Sequence, residues 1–179
     1  MDTMIKEITE LVERTSQDLS IKKVTIDDFV FEKRVLLNCF YCPKYGVKWT
    51  CPPRIPNLDY REVFVEYENF LAVFYKKRFT GITPTAKHRE ESSNLLHKTL
   101  LEIEKVLWQK DHPLAVTFIG GCCKLCKNKC SIEKCKQPSL ARIPLEACGI
   151  NVVKTMRNVG VEIVFPPKAF FYRVGMLVW

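Results

Sequence analysis

Nine cysteines in 179 residues, most of them packed into two short segments, constrain this chain more than any other feature. The first segment carries Cys39, Cys42 and Cys51, and the second carries Cys122, Cys123, Cys126, Cys130 and Cys135. Cys148 stands apart. An odd total suits a pure disulfide framework poorly. A chain of this length buries enough core to do without disulfides. The amino terminus is acidic and polar and lacks the apolar core of a secretory signal. No apolar run approaches the ~18 residues of a membrane-spanning helix, the best, Leu114 to Gly121, being of strand length. The expectation is a cytoplasmic protein without membrane association, whose thiols are free, reactive or metal-bound.

The spacing favours metal. Two residues between Cys39 and Cys42 let a tight turn aim both sulfurs at one centre, and Cys51 returns after a loop containing Gly46. Cys42 and Cys51 each precede proline, as the last cysteine of a bacterial ferredoxin run does. Cys123, Cys126, Cys130 and Cys135 are separated by two, three and four residues. That is close to a ferredoxin run, and four thiolates suffice for one cubane cluster. The expected cofactors are two [4Fe-4S] clusters. Cys148, in the first turn of a helix beginning at Pro144, is a candidate fourth ligand for the first trio, because a helix dipole there favours a thiolate. Otherwise it is a small buried residue. Cys122 points away from Cys123 along a strand end, as packing or as a spare ligand. Zn2+ is the competitor: Cys39 and Cys42 with Cys123 and Cys126 would make a tetrahedral four-thiolate site, leaving Cys51, Cys130 and Cys135 as buried thiols. Tyr41, Tyr45 and Trp49 would shield a cluster or simply belong to the core.

The formal charge of +8 raises nucleic acid as a partner, but no nucleic-acid motif accompanies it. A four-thiolate cubane carries roughly two net negative charges, so two would offset about half of that excess. Lys124, Lys127, Lys129, Lys134, Lys136 and Arg142 crowd the second segment against Glu133. They are expected to serve as counter-charge or as a docking face for an acidic redox partner. His88, His97 and His112 lack metal-ligand spacing and are expected to face solvent. No phosphate loop, dinucleotide fingerprint or nucleophile elbow is present, nor the cysteine spacing of radical enzymes.

Periodicity predicts one α/β domain over residues 1–179, with a single-layer mixed sheet of about five strands, packing helices and two cysteine-rich metal-binding loops. Helices are expected over residues 2–17, from Asn57 or Asp59 to about Glu66, over Pro84–Lys110 with Leu96, Leu100, Ile103 and Leu107 buried, and over Pro144–Asn158. Strands are expected at Lys33–Asn38, Phe70–Tyr75, Leu114–Ile119, Val161–Phe165 and Phe170–Val178.

Cys39 to Pro53, Gly120-Gly121 with Cys123, Cys126, Cys130 and Cys135, and Leu140-Ala141-Arg142 with Glu146-Ala147-Cys148-Gly149-Ile150 together resemble the prokaryotic predicted metal-binding proteins of the DUF2284 family. The resemblance covers most of the chain from about residue 20. It implies a small cytosolic metal protein and leaves the reaction open. An iron–sulfur electron carrier or redox component of a partner enzyme leads. An enzyme with an open iron that binds substrate or sulfide, and a zinc-stabilised interaction module, are the alternatives.

Overall fold

The computed structural model describes residues 2–80, 84–126 and 129–179. Helix α1 (Asp2–Thr15) leads into strand β1 (Leu19–Val24), and helices α2 (Lys33–Phe40) and α3 (Tyr60–Val65) lie in the long connection to β2 (Phe70–Arg78). Helix α4 (Ala86–Trp108), β3 (Val116–Phe118), α5 (Val152–Asn158) and β4 (Phe170–Val178) follow.

The sheet runs β1-β2-β4-β3 with every pair antiparallel, so it has four strands and is not mixed. Its centre is the pairing of β2 with β4, from Phe70 opposite Val178 to Arg78 opposite Phe170. Alternation along β2 sends Leu71, Val73 and Tyr75 into one core and Phe70, Ala72 and Phe74 into the other. The first core is closed by α1 and by the α4 stripe Leu96, Leu100, Ile103 and Leu107, each no more than 1% exposed. The second gathers Phe29, Phe64, Leu145, Cys148, Ile150 and Met156.

Three sequence expectations change. Lys33–Asn38 is the body of α2, because Lys, Arg and Leu are strong helix formers and only Val35 favours a strand. Val161–Phe165 joins no sheet: Val161 and Ile163 pack against the second core while β1 and β3 hold the edges. The helix expected from Pro144 is broken in two. Leu145–Cys148 forms a short 3-10 turn, Gly149 ends it at φ +79°, and α5 begins only at Val152. Strand β1 lies in a stretch for which no element was expected, its exposed Lys22 and Lys23 protecting a sheet edge. Asp59 does cap α3, accepting the Arg61 N–H at 2.9 Å.

Candidate metal centre

The first cysteine segment is tied down at both ends. The Glu32 N–H donates to Gly149 O and the Asn151 N–H to Val30 O, both at 2.8 Å. The Glu32 carboxylate accepts from Arg34, Asn151 and Lys154, and these donors hold it well below the usual carboxylate range. The start of α2 is thereby fixed to the segment around Gly149, and its last turn carries Cys39 to Glu146, whose carbonyl accepts from the Cys39 Sγ at 3.7 Å. The chain then turns tightly: the Cys42 N–H reaches Cys39 O at 3.1 Å and the Tyr45 N–H reaches Cys42 O at 2.9 Å. Gly46, at φ +65°, brings the loop back so that its N–H donates to Pro52 O beside Cys51.

The second segment leaves β3 through Gly120 and Gly121. A Cβ on Gly120 would stand 2.3 Å from Val174 O, and one on Gly121 would stand 2.8 Å from the Arg173 guanidinium. The glycines let β4 and Arg173 lie directly against this exit, where Arg173 donates to Gly120 O at 2.9 Å. Consecutive residues then diverge. Cys122 lines a cavity of about 270 Å3 with Cys39, Cys42 and Cys51, and Lys44, Tyr45 and Glu146 are among the other residues of its wall. Cys123 lines a second, tight space of about 10 Å3 with Cys126, Cys130 and Cys135, walled by Lys48, Trp49, Thr50 and Gln137. Eight cysteines thus form two sets of four.

The sets stand back to back. Cys122 and Cys123 share a peptide bond across the boundary, and so do Cys51 of the first set and Thr50 of the second wall. The loops lock together further out: Trp49 Nε1 donates to Ser131 O at 2.8 Å, and Arg54 stacks 4.4 Å over the Trp49 ring. Beyond Cys135, the second loop is anchored by a buried network. Arg142 pairs with Glu104, which is 1% exposed and accepts from the Thr117 N–H and hydroxyl at 2.9 and 2.7 Å.

Burial shapes the thiol chemistry. It pushes Cys51 up to about 12, with Cys122, Cys39 and Cys42 adding to the effect. Burial also raises Cys39 and Cys123, the latter opposed by the Leu125 N–H and the nearby Lys48. The buried Thr50 hydroxyl has no hydrogen-bond partner among the described residues, a donor that a thiolate or cluster sulfide would satisfy. Among the described residues no three histidine, cysteine, aspartate or glutamate side chains converge as ligands of a single ion. The cysteines of the first set line a shared space instead, and that space is large for one ion bound at the ~2.3 Å of a zinc–thiolate bond.

Several residues lie elsewhere than expected. Cys148 sits at the end of the 3-10 turn, 5% exposed in the second core, its Sγ directed to Pro144 O at 3.6 Å. Burial raises its thiol, the reverse of a helix-start thiolate. The signal for Cys122 was its adjacency to Cys123, since neighbours in extended chain face opposite sides. Tyr41 is 80% exposed, whereas Tyr45 and Trp49 line the cavities. Arg142 is committed to Glu104 and so is not free counter-charge, whereas Lys124, whose Nζ donates to Arg89 O, keeps its charge within reach of Cys122. Lys127 lies outside the described residues. His97 is not solvent-facing: it is 4% exposed, with Nε2 2.9 Å from Leu140 O. His88 and His112 are half-buried.

No helix among the described residues is long and apolar enough to cross a membrane. No curated protein and no solved structure matches the chain. The family model for predicted metal-binding proteins, DUF2284, matches residues 22–178, which takes in the second half of β1, all nine cysteines and all of β4. With that match running over nearly its whole length, the chain belongs to the DUF2284 family of predicted metal-binding proteins.

Proposed function

We propose that this chain is a two-centre redox protein in which Cys39, Cys42, Cys51 and Cys122 hold one iron–sulfur cluster and Cys123, Cys126, Cys130 and Cys135 hold a second. The observation that carries this reading is the back-to-back arrangement of two four-cysteine sets joined through the Cys122–Cys123 peptide bond. When bound, such clusters supply one-electron chemistry at a potential set by burial and by hydrogen bonds to sulfur. The chain's own groups suit that task. Lys44 and Lys48 bring positive charge to the two walls, Tyr45 and Trp49 limit water, and Gln137 Nε2 lies 3.9 Å from the Cys126 Sγ. Two redox centres this close favour passage of an electron from one to the other. Four thiolates in the first set also favour a closed cluster and a carrier role over an open iron that binds substrate.

Cys122 takes the ligand position for which Cys148 was the sequence candidate, because Cys122 faces the first cavity while the Cys148 sulfur is enclosed in the core. Lys129, Lys134 and Lys136 remain exposed around the second set and would steer an acidic redox partner, an attraction that weakens with salt.

The tightness of the second space favours one further reading. About 10 Å3 is less than a cubane needs, so a Zn2+ site drawn together from these thiols, which do not themselves converge on one point among the described residues, is the competing assignment beside one cluster. Metal and acid-labile sulfide analysis of protein purified without oxygen separates them. Two clusters give about eight irons and about eight sulfides per chain, whereas one cluster with zinc gives about four of each and about one zinc.

A further inference from the structure

A cavity larger than either cysteine set lies beside the first of them. It is an open groove of about 800 Å3 between α2 and the proline-rich loop that leads to α3. Its apolar lining includes Leu36, Phe40, Ile55, Leu58 and Tyr60. Tyr45, Pro52 and Ala147 line both this groove and the first cysteine cavity, so the two are separated by the thickness of single residues. Leu36, Phe40 and Leu58 are 42%, 57% and 55% exposed, an apolar surface that the fold itself leaves uncovered.

Two acids and two bases line the groove, but among the described residues only one of the acids is ion-paired and neither base is. The Glu32 carboxylate is taken up by Arg34, Lys154 and Asn151, and Asp59 caps the start of α3. Lys33 and Arg61 also line the groove, and neither joins an ion pair among the described residues. An apolar, aromatic-sided cleft of small-molecule size with unpaired cations suits a ligand with an apolar body and an anionic group.

We propose that this groove is a binding site for an organic anion with an apolar or aromatic body, held against the wall of the first cysteine set. The site goes beyond the redox reading and does not depend on which metal the cysteines hold. Exposed Lys33 and Arg61 hold the anionic group, and the apolar body lies along Leu36, Phe40 and Tyr45.

Titration calorimetry on the metal-loaded protein tests this with a matched pair of probes, naphthalene-1-acetate and its uncharged amide. Saturable binding of the acid is expected, with the amide about tenfold weaker, as is the acid on the K33E/R61E double variant. Leu36→Asp should abolish binding of both probes; because Leu36 is partly exposed, its fold can be verified by circular dichroism. Metal content should match wild type in every variant, so failure of the metal assignment and failure of this site are read separately. Equal affinity for acid and amide, unaffected by the charge reversal, would overturn the proposal and make the groove an apolar docking surface for protein. Absence of saturable binding by either probe, or binding indifferent to Leu36→Asp, would overturn it as well.

Discussion

Cys122 and Cys123 are joined by one peptide bond yet line different cavities, Cys122 with Cys39, Cys42 and Cys51 and Cys123 with Cys126, Cys130 and Cys135. The divergence puts Cys122, and not Cys148, on the wall of the first cavity, and the proposed first cluster takes it as fourth ligand. Cys122→Ala should therefore strip or destabilise the first metal centre. Cys148→Ala should keep both centres and lose only packing, about 1 kcal/mol for a small buried side chain. Iron per chain after anaerobic desalting checks both variants. Iron lost from Cys148→Ala and retained by Cys122→Ala would reverse the assignment.

Arg142 closes the buried end of the second cysteine loop against Glu104. Arg142→Met leaves that carboxylate inside the protein without its cation, at a cost of about 3 kcal/mol or more. Urea unfolding should show the midpoint falling accordingly, with metal at the second set released earlier than at the first. An unchanged midpoint would mean that Glu104 is not held as described.

Gly120 is needed for space rather than for backbone angle, since any Cβ there meets the Val174 carbonyl at 2.3 Å. Gly120→Ala should cost about 2 to 3 kcal/mol through forced backbone displacement. The shift falls two residues before Cys122, so metal should be lost from both sets in parallel with the fall in Tm. A wild-type Tm with full metal would contradict the close approach of β4.

Metal uptake should depend on pH in a defined direction. Burial raises the thiols of Cys39, Cys51 and Cys123, so in the metal-free fold they keep their protons at neutral pH. Metal binding needs thiolates and must expel those protons, so affinity rises with pH and metal is lost on acidification. Proton release on adding Zn2+ to reduced, metal-free protein in weak buffer measures this directly. A pH-independent affinity would contradict metal binding by these thiols.

How far the molecule was legible in the sequence varied with how local the signal was. The α4 stripe and the two central strands carry long, regular patterns, and Phe70 and Phe170 mark their register ends. Lys33–Asn38 was ambiguous because a short apolar run looks alike in helix and strand, and only tertiary packing decides. Strand β1 was hidden because an edge strand with Lys22 and Lys23 outward has little alternation to read. At the site, the second set followed from spacing alone. The fourth member of the first set did not, since Cys122 lies more than seventy residues from Cys51 in the chain. Gly149 hid the true setting of Cys148 by breaking a helix that the apolar pattern continues through.

The central claim, two redox centres divided by a single peptide bond, is tested most directly by low-temperature electron paramagnetic resonance of the fully reduced protein. Centres on adjacent residues should give a broadened, spin-coupled spectrum, and Cys126→Ala should collapse it to the simple signal of one cluster while about half the iron remains. Colourless, zinc-loaded protein without a signal, or two signals that merely add and do not change with Cys126→Ala, would contradict the account.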